Sequence, residues 1–416
     1  VRQRQEAQEV LRGVNATDTP APPLDVPGFV AAGVRCGIKS QGLDLALIAA
    51  DEPVSAAAVF TRSTVVGAPV EWSRNAVRAG RVRAIVANSG CSNVAMGERG
   101  RRDAAAMAAA AASSLGAAPQ QVLVGSTGVI GKPLPMARIR RGVRLAAEAL
   151  APGGLADAAR AIMTTDTFPK WARATARVGG KRITLAGIAK GSGMIAPDVA
   201  TMFSFLLCDA AATPAFLRRA LRGVADRTYN RVSVDGECST SDTVVLLASG
   251  RAGNAPLRSP ASPGAAAFEA ALLEVASELS RMLARDGEGA TKLVDVVVRG
   301  GRSDGEADVA ARRIANSLLV KTALFGRDPN WGRILQTIGA GHVTIRLPRA
   351  SVRLAGVTVF RNGASAGPAA RERAAKGLAA PEVAIEVDLG AGRGRARMWT
   401  CDLSTDYVRI NAEYTT

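Results

Sequence analysis

One histidine occurs among 416 residues, and that scarcity limits the nucleophiles open to this chain. His342 lies in Gly341-His342-Val343-Thr344-Ile345-Arg346-Leu347. The alternation there predicts a strand, with the imidazole satisfied locally. If that histidine is structural, Ser-His-Asp and Cys-His chemistry are excluded. A nucleophile then needs a lysine or an amino terminus as its base. The five cysteines, Cys36, Cys91, Cys208, Cys238 and Cys401, contain no CxxC pair. An odd count in a long chain suggests neither a disulfide framework nor a zinc site.

Several glycine-rich stretches could carry chemistry. In Lys190-Gly191-Ser192-Gly193-Met194-Ile195-Ala196 the glycines fit GxGxxA after a strand. A dinucleotide site needs a helix to start at those glycines. Pro197 and the strand-like run 202–207 leave no room for one. Gly125-Ser126-Thr127-Gly128-Val129-Ile130-Gly131-Lys132-Pro133 resembles a phosphate loop, but its glycine spacing is wrong and Pro133 stands where Ser or Thr is required. It reads as a tight turn whose N–H groups either hold an oxyanion or simply turn the chain. Taken alone, Thr201 in Ala200-Thr201-Met202 is a β-branched strand residue. Residues 229–236 and 286–292 are polar and glycine-bearing, as loops at the ends of regular elements are.

The elements that must position these residues alternate through the first half. Strands are expected at 43–50, 56–60, 82–87, 122–125, 182–188 and 202–207, and helices at 102–115, 138–150 and 155–163. In the second half, 214–228, 266–284 and 369–378 read as helices, and 307–325 contains another. Strands are expected at 243–249 and 294–298, and they dominate from His342 onward. The Pro-, Gly- and Ser-rich run 251–265 reads as a surface connection. No solenoid-period repeat is present. The mixture predicts an α+β or layered α/β architecture.

Net charge is +17, with a sequence pI near 10.7. Such a field attracts nucleic acid or an acidic small molecule. The excess is scattered arginine, densest at 138–144 and 218–231, where each group reads as the solvated face of a helix. Only 4% of residues are aromatic, so bases would find little to stack on. We expect no nucleic-acid partner. The start of the chain shows no basic flank followed by an apolar run, and no apolar stretch is long enough to span a bilayer. We expect a cytoplasmic protein without a membrane anchor.

Seven strings occur in an order that resembles the ornithine acetyltransferase (glutamate N-acetyltransferase) family of arginine biosynthesis. They are 125–131 (GSTGVIG), 163–167 (MTTDT), 190–202 (KGSGMIAPDVATM), 230–236 (NRVSVDG), 286–292 (DGEGATK), 325–334 (FGRDPNWGRI) and 400–416 (TCDLSTDYVRINAEYTT). The resemblance runs from about residue 26 to the end. It implies an α+β fold shared with self-cleaving aminopeptidases, with central sheets covered by helices.

The resemblance also implies self-cleavage between Ala200 and Thr201. Residues 1–200 become an α fragment and 201–416 a β fragment, assembled as α2β2. Glycines before the cut permit the unusual backbone geometry that an N-to-O acyl shift needs. The cut frees an α-amine with a pKa near 8, so Thr201 becomes nucleophile and base in one residue. The implied reaction is ping-pong. Thr201 Oγ takes the acetyl group of N2-acetylornithine, and the glutamate amine then removes it. Thr127 and Gly128 match the oxyanion-hole positions. Thr167, Lys190, Thr201, Glu288, Asn411 and Thr416 match substrate-binding positions, with Lys190 suited to a carboxylate and Glu288 to an ammonium. No metal or organic cofactor is implied. Acetyl-CoA enters as a co-substrate if glutamate is also acetylated directly.

Two stretches depart from the family pattern. Asn88-Ser89-Gly90 continues as Cys91-Ser92-Asn93-Val94-Ala95-Met96-Gly97 in place of NANACTG, and 237–242 reads ECSTSD in place of DTSTND. Neither touches a matched catalytic position; both bear on substrate choice. A paralogous acyltransferase of specialised metabolism and an amide hydrolase on the same fold are the alternatives, and free acetate as product would mark the latter.

Overall fold

The computed structural model describes residues 23–196 and 202–413. Ala200, Thr201 and Thr416 lie outside them. The first sheet has eight strands: β1 (Phe29–Val34), β2 (Leu45–Phe60), β3 (Arg81–Cys91), β4 (Val122–Val129), β5 (Lys170–Val178), β6 (Lys181–Lys190), β7 (Phe203–Cys208) and β8 (Thr243–Ala248). Their order is β4-β3-β2-β8-β7-β6-β5, with β1 also paired to β2. The β3–β4 and β7–β8 pairs are parallel.

The sheet is folded over on itself through β2. Its first half pairs with β3 and its second half with β8, with an irregularity in the β3 register between Ala49 and Val54. The two halves therefore face each other across one core. Ile48, Ile85 and Leu123 come from one side and Ile188, Phe205 and Leu247 from the other. Strand alternation sends the remaining side chains outward. Leu206, Val244 and Leu246 meet Phe216 and Leu221 of α5 (Pro214–Arg227) and Phe268 and Leu272 of α6 (Ala265–Arg285). On the opposite side Leu45, Leu47 and Val124 meet α2 (Gly97–Leu115) and α3 (Met136–Glu148). Every residue of β7 and β8 is buried, as expected of strands covered on both faces. Two shorter helices, α1 (Ala68–Ala76) and α4 (Leu155–Ile162), pack on β4 and on β1 respectively.

A second sheet holds β9 (Leu293–Gly301), β10 (Ser351–Leu354), β11 (Val357–Arg361), β12 (Ala364–Ser365), β13 (Glu382–Asp388) and β14 (Gly394–Cys401), in the order β12-β11-β10-β13-β9-β14. Around it lie α7 (Asp304–Asn316), α8 (Leu318–Phe325), α9 (Trp331–Ala340) and α10 (Pro368–Gly377), and α11 (Thr405–Glu413) ends the described chain. Leu293, Trp399 and Cys401 join the core of α5 and α6, so the two sheets share packing where β9 begins and β14 ends.

The α+β expectation and most of the expected elements hold. The expected strand at His342 does not: the residue lies in an exposed turn after α9 with φ +55°. Thr344 N–H there is taken by the Glu306 side chain at 2.9 Å rather than by a neighbouring strand. The strands expected at 43–50 and 56–60 are one continuous strand, and the single helix expected in 307–325 is two. Both basic groups face solvent where they lie on helices: Arg138, Arg140, Arg141 and Arg144 on α3, and Arg218, Arg219, Arg222 and Arg227 on α5, are exposed.

Candidate active site

Folding the sheet places the end of β4 over the start of β7. Gly125 lies so close to Phe203 that a Cβ added to it would be 3.1 Å from the ring. Beyond this contact opens a cavity of about 220 Å3. Thr127 and Gly128 of β4, Lys190 at the end of β6, Met202, Glu288 and Asn411 all line it.

Thr127 and Gly128 stand beside Ser89 and Gly90 in the parallel register of β3 and β4. Gly128 has φ +121°, and a Cβ there would lie 2.5 Å from the Gly90 carbonyl carbon. The approach of two backbones explains the glycine. Lys190 Nζ, nearly buried, donates to Thr127 Oγ1 at 3.2 Å. A hydroxyl that accepts from lysine keeps its own proton to donate elsewhere. Burial pushes the Lys190 ammonium below its usual range, against the opposing pull of Asp166.

Glu288 and Asn411 come together from distant segments. Asn411 Nδ2 donates to Glu288 Oε2 at 2.8 Å, and Gly193 leaves room for that carboxylate, which a Cβ would meet at 2.4 Å. Thr167 is not brought into the cavity lining. Its hydroxyl bonds to Asp286, and its N–H donates to Asp286 Oδ2 at 3.0 Å. The neighbouring Thr164 and Thr165 line the cavity instead. The cut site Ala200–Thr201 and Thr416 lie outside the described residues, but Met202, the residue bonded to Thr201, is on the wall.

Sequence reasoning missed the groups that hold these walls. Lys170 is fully buried between Asp166 Oδ1 at 2.6 Å and Asp286 Oδ2 at 2.5 Å. Asp166 also accepts from Gly191 N–H at 2.7 Å. The buried carboxylate is held well below the usual range by Lys170 and Lys190, although desolvation opposes this. Asp235 accepts from Met194 N–H and Ile195 N–H at 2.6 and 2.8 Å. Asp242 is buried at the head of β8, and desolvation pushes its carboxyl well above the usual range. The MTTDT, NRVSVDG and DGEGATK strings contained Asp166, Asp235 and Asp286, but pattern alone did not separate them from surface acids.

Among the described residues no group of three or more His, Cys, Asp or Glu is placed to hold a metal ion. No helix among them is long and apolar enough to cross a membrane.

The cavity brings a threonine–glycine pair, a buried lysine and a glutamate together, an arrangement of hydrogen-bond donors and opposite charges suited to acyl transfer. Residues 30–416 match the ArgJ family model. The arginine biosynthesis bifunctional protein ArgJ of Geobacter sulfurreducens is 46% identical over 394 residues, covering 94% of this chain and 100% of that protein. Its counterpart in Symbiobacterium thermophilum is 48% identical, covering 94% and 97%. The solved ornithine acetyltransferase of Mycobacterium tuberculosis, in complex with ornithine, is 39% identical over 43% of this chain and 95% of that chain, with a TM-score of 0.39. The chain belongs to the ArgJ family of arginine biosynthesis, the ornithine acetyltransferases.

Proposed function

We propose that the chain cuts itself between Ala200 and Thr201 and then moves an acetyl group from N2-acetylornithine to glutamate through an acetyl ester on Thr201. The observation that carries this reading is convergence. Thr127, Gly128, Lys190, Glu288 and Asn411, drawn from four separate stretches of sequence, line one cavity with Met202, the covalent neighbour of Thr201. In this reading the freed α-amine of Thr201 takes the hydroxyl proton as Oγ attacks the acetyl carbonyl. Charge that develops on the carbonyl oxygen is met by Gly128 N–H and by the Thr127 hydroxyl, whose proton Lys190 leaves free. Each such donor contributes about 3 kcal/mol to the transition state. Ornithine leaves, and the glutamate amine attacks the ester.

Lys190 and Glu288 supply opposite charges to the cavity, which suits an α-carboxylate and a side-chain ammonium. Asn411 steadies Glu288. Thr416 and Thr167 are assigned to substrate on the resemblance, Thr167 from outside the cavity lining. Acetyl-CoA is a second donor to the same ester, which makes the chain bifunctional. Fragments 1–200 and 201–416 stay together as α2β2.

Intact mass measurement should give two fragments divided between Ala200 and Thr201. Thr201→Ala should give one uncut chain without transferase activity. An uncut wild-type chain that is fully active would refute the mechanism, and release of acetate without transfer to glutamate would turn the reading toward a hydrolase.

A further inference from the structure

The two charges assigned to substrate stand on different parts of the fold. Lys190 ends β6, where it pairs with Phe203 of β7, so its backbone belongs to the first sheet. Glu288 follows α6 in the turn that leads to β9, a strand of the second sheet. A ligand that bridges both charges reads the distance between these two segments. Held only by their own loops, the two would drift relative to each other.

Ser192 is 1% exposed and bonds to both sides of that turn. Its hydroxyl donates to the Asp286 carbonyl at 2.6 Å, and its own carbonyl accepts from Glu288 N–H at 2.9 Å. The two bonds bracket Gly287, and both are out of reach of competing water. The next residue, Gly193, lies against the carboxylate itself: a Cβ there would be 2.4 Å from Glu288 Cδ and Oε2. From Lys190 to Glu288 the route is thus two peptide bonds and one hydrogen bond. The route through Asp166, Lys170 and Asp286 is longer, and it ends on the Asp286 side chain rather than on the backbone that carries Glu288. Gly191, Met194 and Ile195 give their N–H groups to Asp166 and Asp235. Ser192 reaches instead across to the 286–288 turn.

We propose that Ser192 is a positioning residue that sets substrate length. By tying the 286–288 turn to the end of β6 it fixes the span between Lys190 and Glu288. That span selects N2-acylated diamino acids of one chain length, whose α-carboxylate and terminal ammonium fit both charges at once. The inference rests on the substrate reading above, in which those two groups meet those two charges. Ser192 is off the cavity lining, whereas Lys190, Gly193 and Glu288 are on it; it acts through them. Without its hydroxyl the Asp286 carbonyl loses that donor, and the turn is free to settle elsewhere.

The test is kcat/KM for three acetyl donors in wild type, Ser192→Ala and Ser192→Thr, with glutamate as acceptor. The donors are N2-acetylornithine, its homologue one methylene shorter, and N2-acetyllysine, one methylene longer. N2-acetylnorvaline, which lacks the side-chain amine, is the control. If wild type uses it as well as N2-acetylornithine, no ammonium is met, and the substrate reading fails before Ser192 is tested. Otherwise wild type should favour N2-acetylornithine over both homologues by about tenfold or more; indifference to length overturns the inference at once. Ser192→Ala should cut that preference at least about fivefold by raising KM for N2-acetylornithine. KM for glutamate, which brings no side-chain ammonium, should stay within about twofold. Ser192→Thr keeps the hydroxyl and should keep the preference. A preference unchanged in Ser192→Ala, or an equal loss of kcat with every donor, assigns Ser192 to folding alone and overturns the inference. Where Ser192→Ala is unfolded by circular dichroism or uncut by intact mass, Gly193→Ala takes its place, because it leaves both Ser192 bonds and pushes the Glu288 carboxylate directly. A changed order of the donors then supports the inference, and an unchanged order overturns it.

Discussion

Gly128→Ala separates an oxyanion donor from a structural glycine. The residue has φ +121°, where L side chains are rarely found, and the new Cβ would lie 2.5, 2.7 and 2.8 Å from the carbonyl carbon, Cα and nitrogen of Gly90. All three are backbone atoms, so no side-chain tip can swing aside. Relief has to come from parting β3 and β4 at the Gly90–Gly128 pair. Backbone strain of this kind costs about 1–3 kcal/mol and overpacking about the same again. A domain with roughly 5–15 kcal/mol in hand stays folded at a lower Tm. The same parting moves the Gly128 N–H off the position it would need against the oxyanion. Loss of one such donor lowers kcat by about 100- to 1,000-fold. The assay is ornithine release from N2-acetylornithine with glutamate as acceptor, beside a thermal melt. Gly125→Ala is the control: its Cβ would meet a Phe203 ring atom at 3.1 Å, and a ring can shift. That variant should lose stability with less than about a tenfold change in kcat, or about 1.4 kcal/mol. A Gly128→Ala protein with lowered Tm and undiminished kcat would refute the oxyanion role.

The other predictions concern charges. Glu288→Gln keeps an acceptor for Asn411 Nδ2 and removes the charge; loss of a charge-assisted contact of about 1.5–3 kcal/mol should raise KM for N2-acetylornithine at least tenfold, and steady-state kinetics with an unchanged KM would show that no ammonium is met there. Lys170→Met removes the ammonium that Asp166 and Asp286 share; removal of one partner from a buried pair costs about 3–5 kcal/mol, measurable by urea unfolding, and a loss under about 1 kcal/mol would mean that water replaces the ammonium.

Much of this fold was legible because burial imposes a period. In β7, Phe203, Phe205 and Leu207 face one core while Leu206 and Cys208 face the other, and a short, wholly apolar run says as much. Helix α5 announced its start through Pro214 at its first turn and Thr213, which caps Phe216 N–H. Legibility failed where one local pattern serves two geometries. Residues 342–347 alternate like a strand, yet a left-handed His342 turns the chain and Glu306 takes the next free N–H. Asp51 and Glu52 look like a turn between two strands, but β2 carries both without breaking and merely changes partners there. The strings of the candidate site could be matched by type, but Thr167 turned out to serve Asp286 and to stand off the cavity lining.

The buried acids were illegible for a stronger reason: their partners are backbone groups that have no letter of their own. After β6 ends at Lys190, the sheet offers no ladder to residues 191–195, and their N–H groups need acceptors. Asp166 takes Gly191, and Asp235 takes Met194 and Ile195. The Val234 N–H and Glu288 N–H close the carbonyls of Ile195 and Ser192. With both ends held, the segment keeps conformations that a free loop would leave, Gly191 at φ +149° and Met194 at φ +55°. The left-handed methionine alone costs about 1–2 kcal/mol. Glycine lets the chain enter such geometry; the carboxylates keep it there. The glycines of this approach can therefore be read in the sequence, whereas the strain they permit is set by Asp166 and Asp235, 25 residues before Gly191 and 40 after Ile195.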